Sequence, residues 1–453
     1  MPAPSRRTFL SAVSAASYMR VLGANDRVQV GFIGCGLIGL RHIADFNELP
    51  DADLAAVCDV YQPRIDHAQA QCGSHPKGYA DFRKLLDNKD INAVVVSTPD
   101  HWHALHTLLA CAAGKDVYVE KPMTLFVREG RWMTTTARRY NRIVCVGTQG
   151  RSGTHIPAVL ALLRQGVAGK IHSVRFSAYR NIMPGFGRPA DCPPPAGLDY
   201  DLWLGPAPAR AYNPNRGLYH FRWFWDYSGG QMTNLGAHDM DLVHFLLGAT
   251  APQSVDSSGG RYALQDNGET PDTQDAIWQY PGFLVEGSFR EASGARRGSG
   301  GTGSSLAGVQ FCGTQGVLAV GRGGYEFVPD MRIAPESAIP PWSRPPGHPQ
   351  VAALAPEPYG PPRQGSGDQP EPMAHHARHF LDCVKSRQRP VADVEDGHRV
   401  AVSCHLANLS MRLGRKLVWD AGKEEIVGDR EANALLVRPY RRPWDEVLRS
   451  LNL

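Results

Sequence analysis

Glu120-Lys121-Pro122 sets a carboxylate beside an ammonium and fixes the chain behind them with a proline. An ammonium can hydrogen-bond a substrate hydroxyl and stabilise a developing alkoxide, and an adjacent carboxylate can set its charge and pKa. As a bare pair, Glu-Lys is more commonly a surface ion pair. Further on, residues 237–247 have helical spacing, with Met240, Val243 and Leu247 apolar, so His238 and Asp241 share a face three residues apart. Read by itself, that histidine is a helix-start residue paired with Asp241.

A third group points to a nucleotide. Gly34-Cys35-Gly36-Leu37-Ile38-Gly39 fits G-x-G-x-x-G, follows an apolar run and opens a helical pattern. Gly34 permits a tight turn, Gly36 lets the backbone reach a pyrophosphate, and Gly39 lets helix and strand approach. The helix N-terminus offers N–H groups and a positive dipole end to phosphates. Asp59 ends the next apolar run, where a carboxylate would accept hydrogen bonds from ribose hydroxyls. It would repel a 2′-phosphate, so NAD is expected over NADP; Arg64 nearby keeps NADP as the alternative. Ser97-Thr98-Pro99-Asp100-His101-Trp102-His103 follows a third apolar run, and Thr98 and Pro99 are expected beside the nicotinamide. His101, His103 and His106 invite a metal reading, but Asp100 is the one nearby carboxylate and no cysteine completes a ligand set, so no metal is expected.

These groups need a scaffold. Residues 28–33, 54–58, 93–97, 116–119 and 142–146 are short Val-rich runs alternating with helical patterns, as in stacked βαβ units. Beyond residue 150 a helix is expected over 156–165. Strands are expected over 171–180, 275–280, 284–290 and 309–320, the last with a turn at 313–316. Helices are expected over 375–386 and 398–413. The class is α/β: a Rossmann domain over 25–150, a substrate-binding α+β domain with a mostly antiparallel sheet over 151–425, and an arm over 426–453. Residues 293–305 (Gly/Ser-rich) and 334–372 (Pro-rich) read as loops.

The 453 residues suffice for two cores, and 42% apolar with 20% charged residues excludes a disordered chain. A net charge of +4, evenly spread, gives no reason to expect nucleic-acid binding, and no run of apolar residues is long enough for a membrane span. Nine cysteines without C-x-x-C spacing read as small buried hydrophobes. Ser5-Arg6-Arg7-Thr8-Phe9-Leu10 and the apolar stretch after it read as a twin-arginine export signal over 1–24, with a basic tail as the alternative. The expected location is therefore periplasmic or exported, and cytoplasmic if the signal does not function.

The sequence resembles the glucose–fructose oxidoreductase/inositol dehydrogenase/rhizopine-catabolism (Gfo/Idh/MocA) superfamily. The likeness runs through Gly34 to Gly39, the Ser97 to His103 segment, Gly114-Lys115-Asp116-Val117-Tyr118-Val119-Glu120-Lys121-Pro122 and Val146-Gly147-Thr148-Gln149. It continues through Asp199-Tyr200-Asp201-Leu202-Trp203-Leu204-Gly205-Pro206 and the stretch from Gly229 to Asp241, and reaches the helix at 375–387. The resemblance implies that Lys121 is catalytic and that His238 takes a hydroxyl proton while hydride leaves the carbon. The aspartate of the usual D-x-x-x-H is Asn234 here, which holds no negative charge. Proton transfer then leans on Lys121, or Asp239 or Asp241 compensates. Cofactor contacts are expected from Gly34, Cys35, Gly36, Leu37, Ile38, Gly39, Asp59, Thr98, Pro99, His101, His103, Glu120, Lys121 and Gln149. Arg180 and Arg222 are candidate substrate contacts, and the aromatic run from Phe221 to Tyr227 either stacks on a sugar or packs in the core.

The function expected is oxidation or reduction at a secondary hydroxyl of a sugar, polyol or glycoside, in a homo-oligomer joined through the C-terminal sheet. Outside the cytoplasm free NAD is scarce, so the cofactor is expected to be tightly bound and restored within each cycle. Either one sugar is oxidised and another reduced, or one substrate is oxidised, undergoes elimination and is re-reduced, giving net glycoside cleavage. A redox-inactive sugar or nucleotide sensor is the alternative from another class.

Overall fold

The computed structural model describes residues 27–72, 75–294, 308–332, 341–343, 357–367 and 373–453. Six strands build the first sheet: β1 (Val28–Ile33), β2 (Ala52–Cys58), β3 (Lys77–Tyr79), β4 (Ala93–Val96), β5 (Asp116–Glu120) and β6 (Val144–Gly147). All pair in parallel, in the order β3-β2-β1-β4-β5-β6. The Val-rich runs are buried on both faces, with one apolar core on each side. Chain order reverses beside β1, which opens a crevice at the carboxyl ends of β1, β2 and β4, where ligands bind in such sheets.

The second sheet has ten strands. They are β7 (Ile171–Tyr179), β8 (Ser254–Gly260), β9 (Thr273–Tyr280), β10 (Phe283–Arg290), β11 (Val309–Gly313), β12 (Gly316–Gly321), β13 (Gly324–Pro329), β14 (Arg363–Ser366), β15 (Leu417–Asp420) and β16 (Glu425–Ile426). Their order is β14-β13-β12-β11-β7-β10-β9-β8-β15-β16. The β7–β10 pair is parallel and the other pairs are antiparallel. Val174 and Phe176 of β7 point inward with Trp278, Val285, Phe289 and Phe311, against Met240 and Val243 of the Gly236–Leu247 helix and Val402 and Leu406 of the Val394–Leu413 helix.

Several elements differ from expectation. β3 is three residues long, and β8 carries Ser-Ser-Gly-Gly at its end, so neither has an apolar run to announce it. β14 lies inside the Pro-rich stretch expected to be loop, on the outer edge of the sheet where no second neighbour is needed. The 334–340, 344–356 and 368–372 parts of that stretch, the Gly/Ser-rich 295–305 and the 1–24 signal lie outside the described residues. The helix Met373–Ser386 packs Phe380 onto Phe46 and Tyr118 of the first domain. The C-terminal arm also returns there. Trp444 meets Trp102 edge-on at 4.8 Å, and Tyr440 donates a hydrogen bond to Glu129. All nine cysteines are free and seven are buried.

Candidate functional site

A cavity of about 770 Å3 lies between the two sheets, at the carboxyl ends of β1, β2, β4 and β5. That is a size suited to a cofactor and a small substrate. Its floor is the glycine loop. Gly34 has φ +96, and a Cβ there would lie 2.7 Å from the Ser97 carbonyl. At Gly39 a Cβ would come within 2.0 Å of Gly34 O, so the helix Leu37–Asn47 can seat on the loop only with glycine. Gly36 caps that helix without a side-chain hydrogen bond. A Cβ there would face the cavity, with Arg64 Nη1 at 3.4 Å as its nearest neighbour. Leu37 and Ile38 line the cavity, and Leu37 is 76% exposed.

Asp59 stands at the end of β2. Its Oδ2 accepts the Cys35 N–H at 2.8 Å and its Oδ1 the Tyr61 N–H at 3.0 Å. Burial pushes this carboxyl up, while Arg64 and the N–H groups of Cys35, Tyr61 and Val60 oppose the shift. Each oxygen keeps a further acceptor site for a ribose hydroxyl. These residues fit a dinucleotide: a loop with no room for Cβ atoms at two positions, an open helix N-terminus and a carboxylate across from it. Cys35 departs from expectation. It does not line the cavity; its N–H is held by Asp59 and its thiol is buried against Cys58 O.

Thr98 and Pro99 line the cavity at the end of β4. The histidines beyond them divide. His101 faces away, with Nε2 against Trp203 O at 3.0 Å and its ring packed on Trp203 and Tyr227. Burial pushes it down to about 3, so it is a neutral core residue rather than a cofactor contact. His103 lines the cavity, with its two ring nitrogens 2.7 Å from the carbonyls of Pro122 and Thr98. It ties the β4 turn to the β5 turn. His106 stacks on Trp102 and meets Thr98 Oγ1 at 3.2 Å.

Glu120 ends β5, buried beneath the cavity. Its Oε1 meets His42 Nε2 at 2.8 Å and accepts Gln149 Nε2 at 2.8 Å, and its Oε2 accepts the Lys121 N–H at 3.0 Å. Burial alone would raise this carboxyl, but the His42 hydrogen bond and charge, with Lys121, hold it below its ordinary value. His42 had no signal beyond being polar on the inward face of its helix. Lys121 Nζ reaches across the cavity to the second domain, where it donates to Asn234 O and Asn234 Oδ1, both at 3.0 Å. Asn234 Nδ2 donates to Gln231 Oε1 at 3.1 Å, which turns the amide oxygen toward the lysine. Burial lowers the Lys121 pKa; Glu120 opposes this, and Arg222 and Arg322 add to it.

His238, one turn after Asn234, also faces the cavity. Burial, then the charges of Lys121 and Arg322, push its pKa well below that of an ordinary imidazole. Asp241 does not join it. Its carboxylate is held by Arg151, with Nε at 3.0 and 2.9 Å and Nη2 at 2.8 Å, and their side chains are 2% and 3% exposed. The pair is buried away from the cavity lining and does not stand in for Asn234. Asp241→Ala is therefore expected to cost about 2–4 kcal/mol of stability, because it leaves the buried Nε and Nη2 of Arg151 without their acceptor, while Nη1 keeps Asp396 and Val391 O. Urea unfolding checks this; a loss below about 1 kcal/mol would contradict the buried-pair account. Arg180 is likewise occupied, paired with Glu291 beside Trp223 and away from the cavity. Arg222 does line it, as does Arg322 from the turn between β12 and β13, which had no sequence signal beyond a charge at a hairpin tip. From the aromatic run, Phe221 lines the cavity, while Trp223, Phe224 and Tyr227 form a small buried cluster.

Comparison with known proteins agrees with this geometry. The family model "Oxidoreductase family, NAD-binding Rossmann fold" matches residues 28–148, and its companion "Oxidoreductase family, C-terminal alpha/beta domain" matches residues 183–266 and 364–446. A curated relative, a "Glycosyl hydrolase family 109 protein" of Shewanella baltica (strain OS195), is 36% identical over 154 residues, 32% of this chain and 34% of that protein. The match thus spans about a third of that relative's length. Among solved structures, the WlbA dehydrogenase from Bordetella pertussis in complex with NADH and UDP-GlcNAcA superposes with TM-score 0.61 at 18% identity, covering 87% of this chain and 99% of that one. The aldose-aldose oxidoreductase from Caulobacter crescentus complexed with glycerol gives TM-score 0.59 at 19% identity, covering 86% and 99%. At such identities these likenesses speak for the fold, whereas the two family models take in the glycine loop, the Glu120-Lys121 turn and the Asn234–His238 helices. The chain belongs to the Gfo/Idh/MocA oxidoreductase family.

Proposed function

We propose that this protein is an NAD-dependent oxidoreductase acting on a secondary hydroxyl of a sugar, polyol or glycoside. The observation that carries the reading is the convergence of Lys121 from the nucleotide domain with Asn234 and His238 from the second domain, at one end of the cavity that begins at the glycine loop. The loop from Gly34 to Gly39, Asp59, Thr98 and Pro99 would hold the dinucleotide, with Gln149 and Glu120 supporting Lys121 from below. When bound, the nicotinamide would supply hydride acceptance and return.

The chain's own residues handle the proton. Lys121 Nζ has three N–H donors; Asn234 takes two and fixes the direction of the third. That donor bonds the substrate hydroxyl oxygen and stabilises negative charge as the proton leaves. His238, held neutral by its surroundings, accepts that proton. Asn234 orients without adding charge, so nothing at that position raises the basicity of His238.

A pH dependence follows. Activity requires neutral His238, so it falls as pH drops through the His238 pKa, which lies well below the usual 6.5. In Asn234→Asp a new carboxylate would raise the pKa values of His238 and Lys121. The acidic limb of kcat/KM is expected to move to higher pH by about one unit or more. An unmoved limb would remove His238 from the proton path.

The net reaction is read from the products. Incubation with a panel of sugars and glycosides is expected to yield a ketone, or a matched oxidised and reduced pair. The curated relatives named as glycosyl hydrolases favour a second reading, in which oxidation, elimination and re-reduction release an aglycone with no net redox change. Nuclear magnetic resonance of the products separates the two. A nucleotide-loaded protein that transforms none of the panel would instead support the sensor. NADP remains the alternative cofactor because Arg64 overhangs Gly36.

Two further parts of the proposal concern setting. Export through the twin-arginine signal at 1–24 would make the cofactor a resident group. Homo-oligomerisation would use the outer face of the second sheet, where Ile277 and Leu284 are 50% and 43% exposed on adjacent strands. Fractionation of expressing cells and light scattering of the purified protein test these; a cytoplasmic monomer would contradict both.

A further inference from the structure

We infer that His42 is a positioning residue for Lys121: it fixes the Glu120 carboxylate beneath the lysine and so keeps the ammonium charged. The inference rests on the oxidoreductase reading for the use made of Lys121, and adds what governs that lysine's charge.

His42 lies fully buried on the helix Leu37–Asn47, whose N-terminus opens on the cavity. Its Nε2 meets Glu120 Oε1 at 2.8 Å, and its Nδ1 has no hydrogen-bond partner. A carboxylate only accepts, so the imidazole donates from Nε2 and directs its one bond to Glu120. Three other buried histidines differ. His101, His376 and His405 each face a backbone carbonyl, of Trp203, Val146 and Thr124, the pattern of a group that ties chain segments together. The Tyr118 ring stands edge-on to the His42 imidazole, with centroids 4.9 Å apart, and helps to fix its plane.

The carboxylate has a built seat. Gln149 Nε2 donates to Oε1 at 2.8 Å and is itself anchored on Tyr118 Oη at 3.1 Å. The Lys121 N–H donates to Oε2 at 3.0 Å. On β6, Gly147 leaves the space, since a Cβ there would stand 2.7 Å from Oε1. Three donors from three segments thus hold the ionised form where burial alone would favour the neutral acid. Of the influences that oppose burial, the His42 hydrogen bond and charge come first, ahead of Lys121 and His103. The charges nearest His42 on its own helix, Arg41 and Asp45, pair with each other at 3.1 Å.

Lys121 depends on that carboxylate. Burial disfavours its ammonium, and Glu120 is the leading influence against burial, ahead of Asp100; Arg222 and Arg322 act with burial. Asn234, which bonds Nζ, brings no charge. Without the His42 donor the buried carboxyl takes up a proton more readily. The lysine then loses its counter-charge and gives up its own proton at lower pH.

Competitive labelling of the full-length protein with acetic anhydride tests this, with the Lys121 peptide followed by mass spectrometry across pH. The labelling midpoint is expected to fall by about one pH unit in His42→Leu. It should return to the parent value in His42→Gln, whose amide restores the donor. Glu120→Gln should lower it as far, and adding His42→Leu to Glu120→Gln should lower it no further. A merely structural His42 would change thermal stability and leave the midpoint in place. An unmoved midpoint in His42→Leu overturns the inference, and so does a further fall in the double variant. Should His42→Leu alone not fold, the double variant, which leaves no unpaired carboxylate, decides by the same comparison. Turnover of a sugar panel is read separately. Where the parent turns a sugar over, the alkaline limb of kcat should move with the midpoint while KM stays within about twofold. Turnover with an unmoved midpoint would uphold the oxidoreductase reading and sink this inference. A moved midpoint in a protein that turns over no sugar would do the reverse.

Discussion

Lys121→Ala is expected to lower turnover by roughly 10³-fold while the nucleotide stays bound. The lysine spans two domains: its backbone N–H rests on Glu120, and its Nζ bonds Asn234 twice at 3.0 Å. In the proposed mechanism, deletion would remove the donor that stabilises charge on the substrate oxygen. It also leaves Asn234 without the partner that sets its amide. In the proposed arrangement the nucleotide rests on the glycine loop and Asp59, so released NAD(H) per protein should be unchanged. Lys121→Met, which keeps the bulk of the side chain, should be nearly as inactive. If either variant turns over within about threefold of the parent, Lys121 has no part in the chemistry.

Gly39→Ala is expected to abolish nucleotide retention and to destabilise the fold by about 1–3 kcal/mol. Its added methyl would stand 2.0 Å from Gly34 O, a backbone atom that can yield only by lifting the helix Leu37–Asn47 off the loop. That shift spoils the N-terminus offered to the phosphates. Gly36→Ala is the informative control. Its methyl meets a flexible arginine side chain at 3.4 Å and otherwise points into the cavity. It should fold normally yet bind nucleotide more weakly. Equilibrium unfolding and the nucleotide content of the purified variants measure both effects. Normal nucleotide content in both variants would mean that the loop is not the binding site.

The contrast between these glycines shows what could be read in advance. The steric demand at each followed from the motif and its place between strand and helix, since local geometry decides it. The placement of Asp59, Thr98 and Pro99 along the cavity followed likewise from their positions at strand ends. Parallel strands buried on both faces announce themselves as Val runs, so β1, β2, β4, β5 and β6 were legible to within a few residues. Edge elements with little apolar content, β3 and β14, were not.

Side-chain direction was the harder quantity. His101 and His103 stand two apart on one helix start, yet one enters the core and the other the cavity. Asp241 looked suited to stand in for the missing carboxylate, until Arg151, ninety residues earlier in the chain, proved to hold it. Arg322 reaches the cavity through a hairpin whose fold over the cleft depends on the whole second sheet. Such long-range placements leave no local pattern.

The central claim is that a resident dinucleotide exchanges hydride with a carbohydrate held between Lys121 and His238. The most direct measurement uses full-length protein purified without added cofactor. Its bound nucleotide is first identified after denaturation, and the native protein is then mixed with a sugar panel while reduced-nicotinamide absorbance is followed. The account predicts stoichiometric NAD(H) and a reduction or oxidation signal with at least one sugar, lost in Lys121→Ala. Protein that carries no nucleotide, does not take up added NAD and gives no signal with any sugar would contradict it.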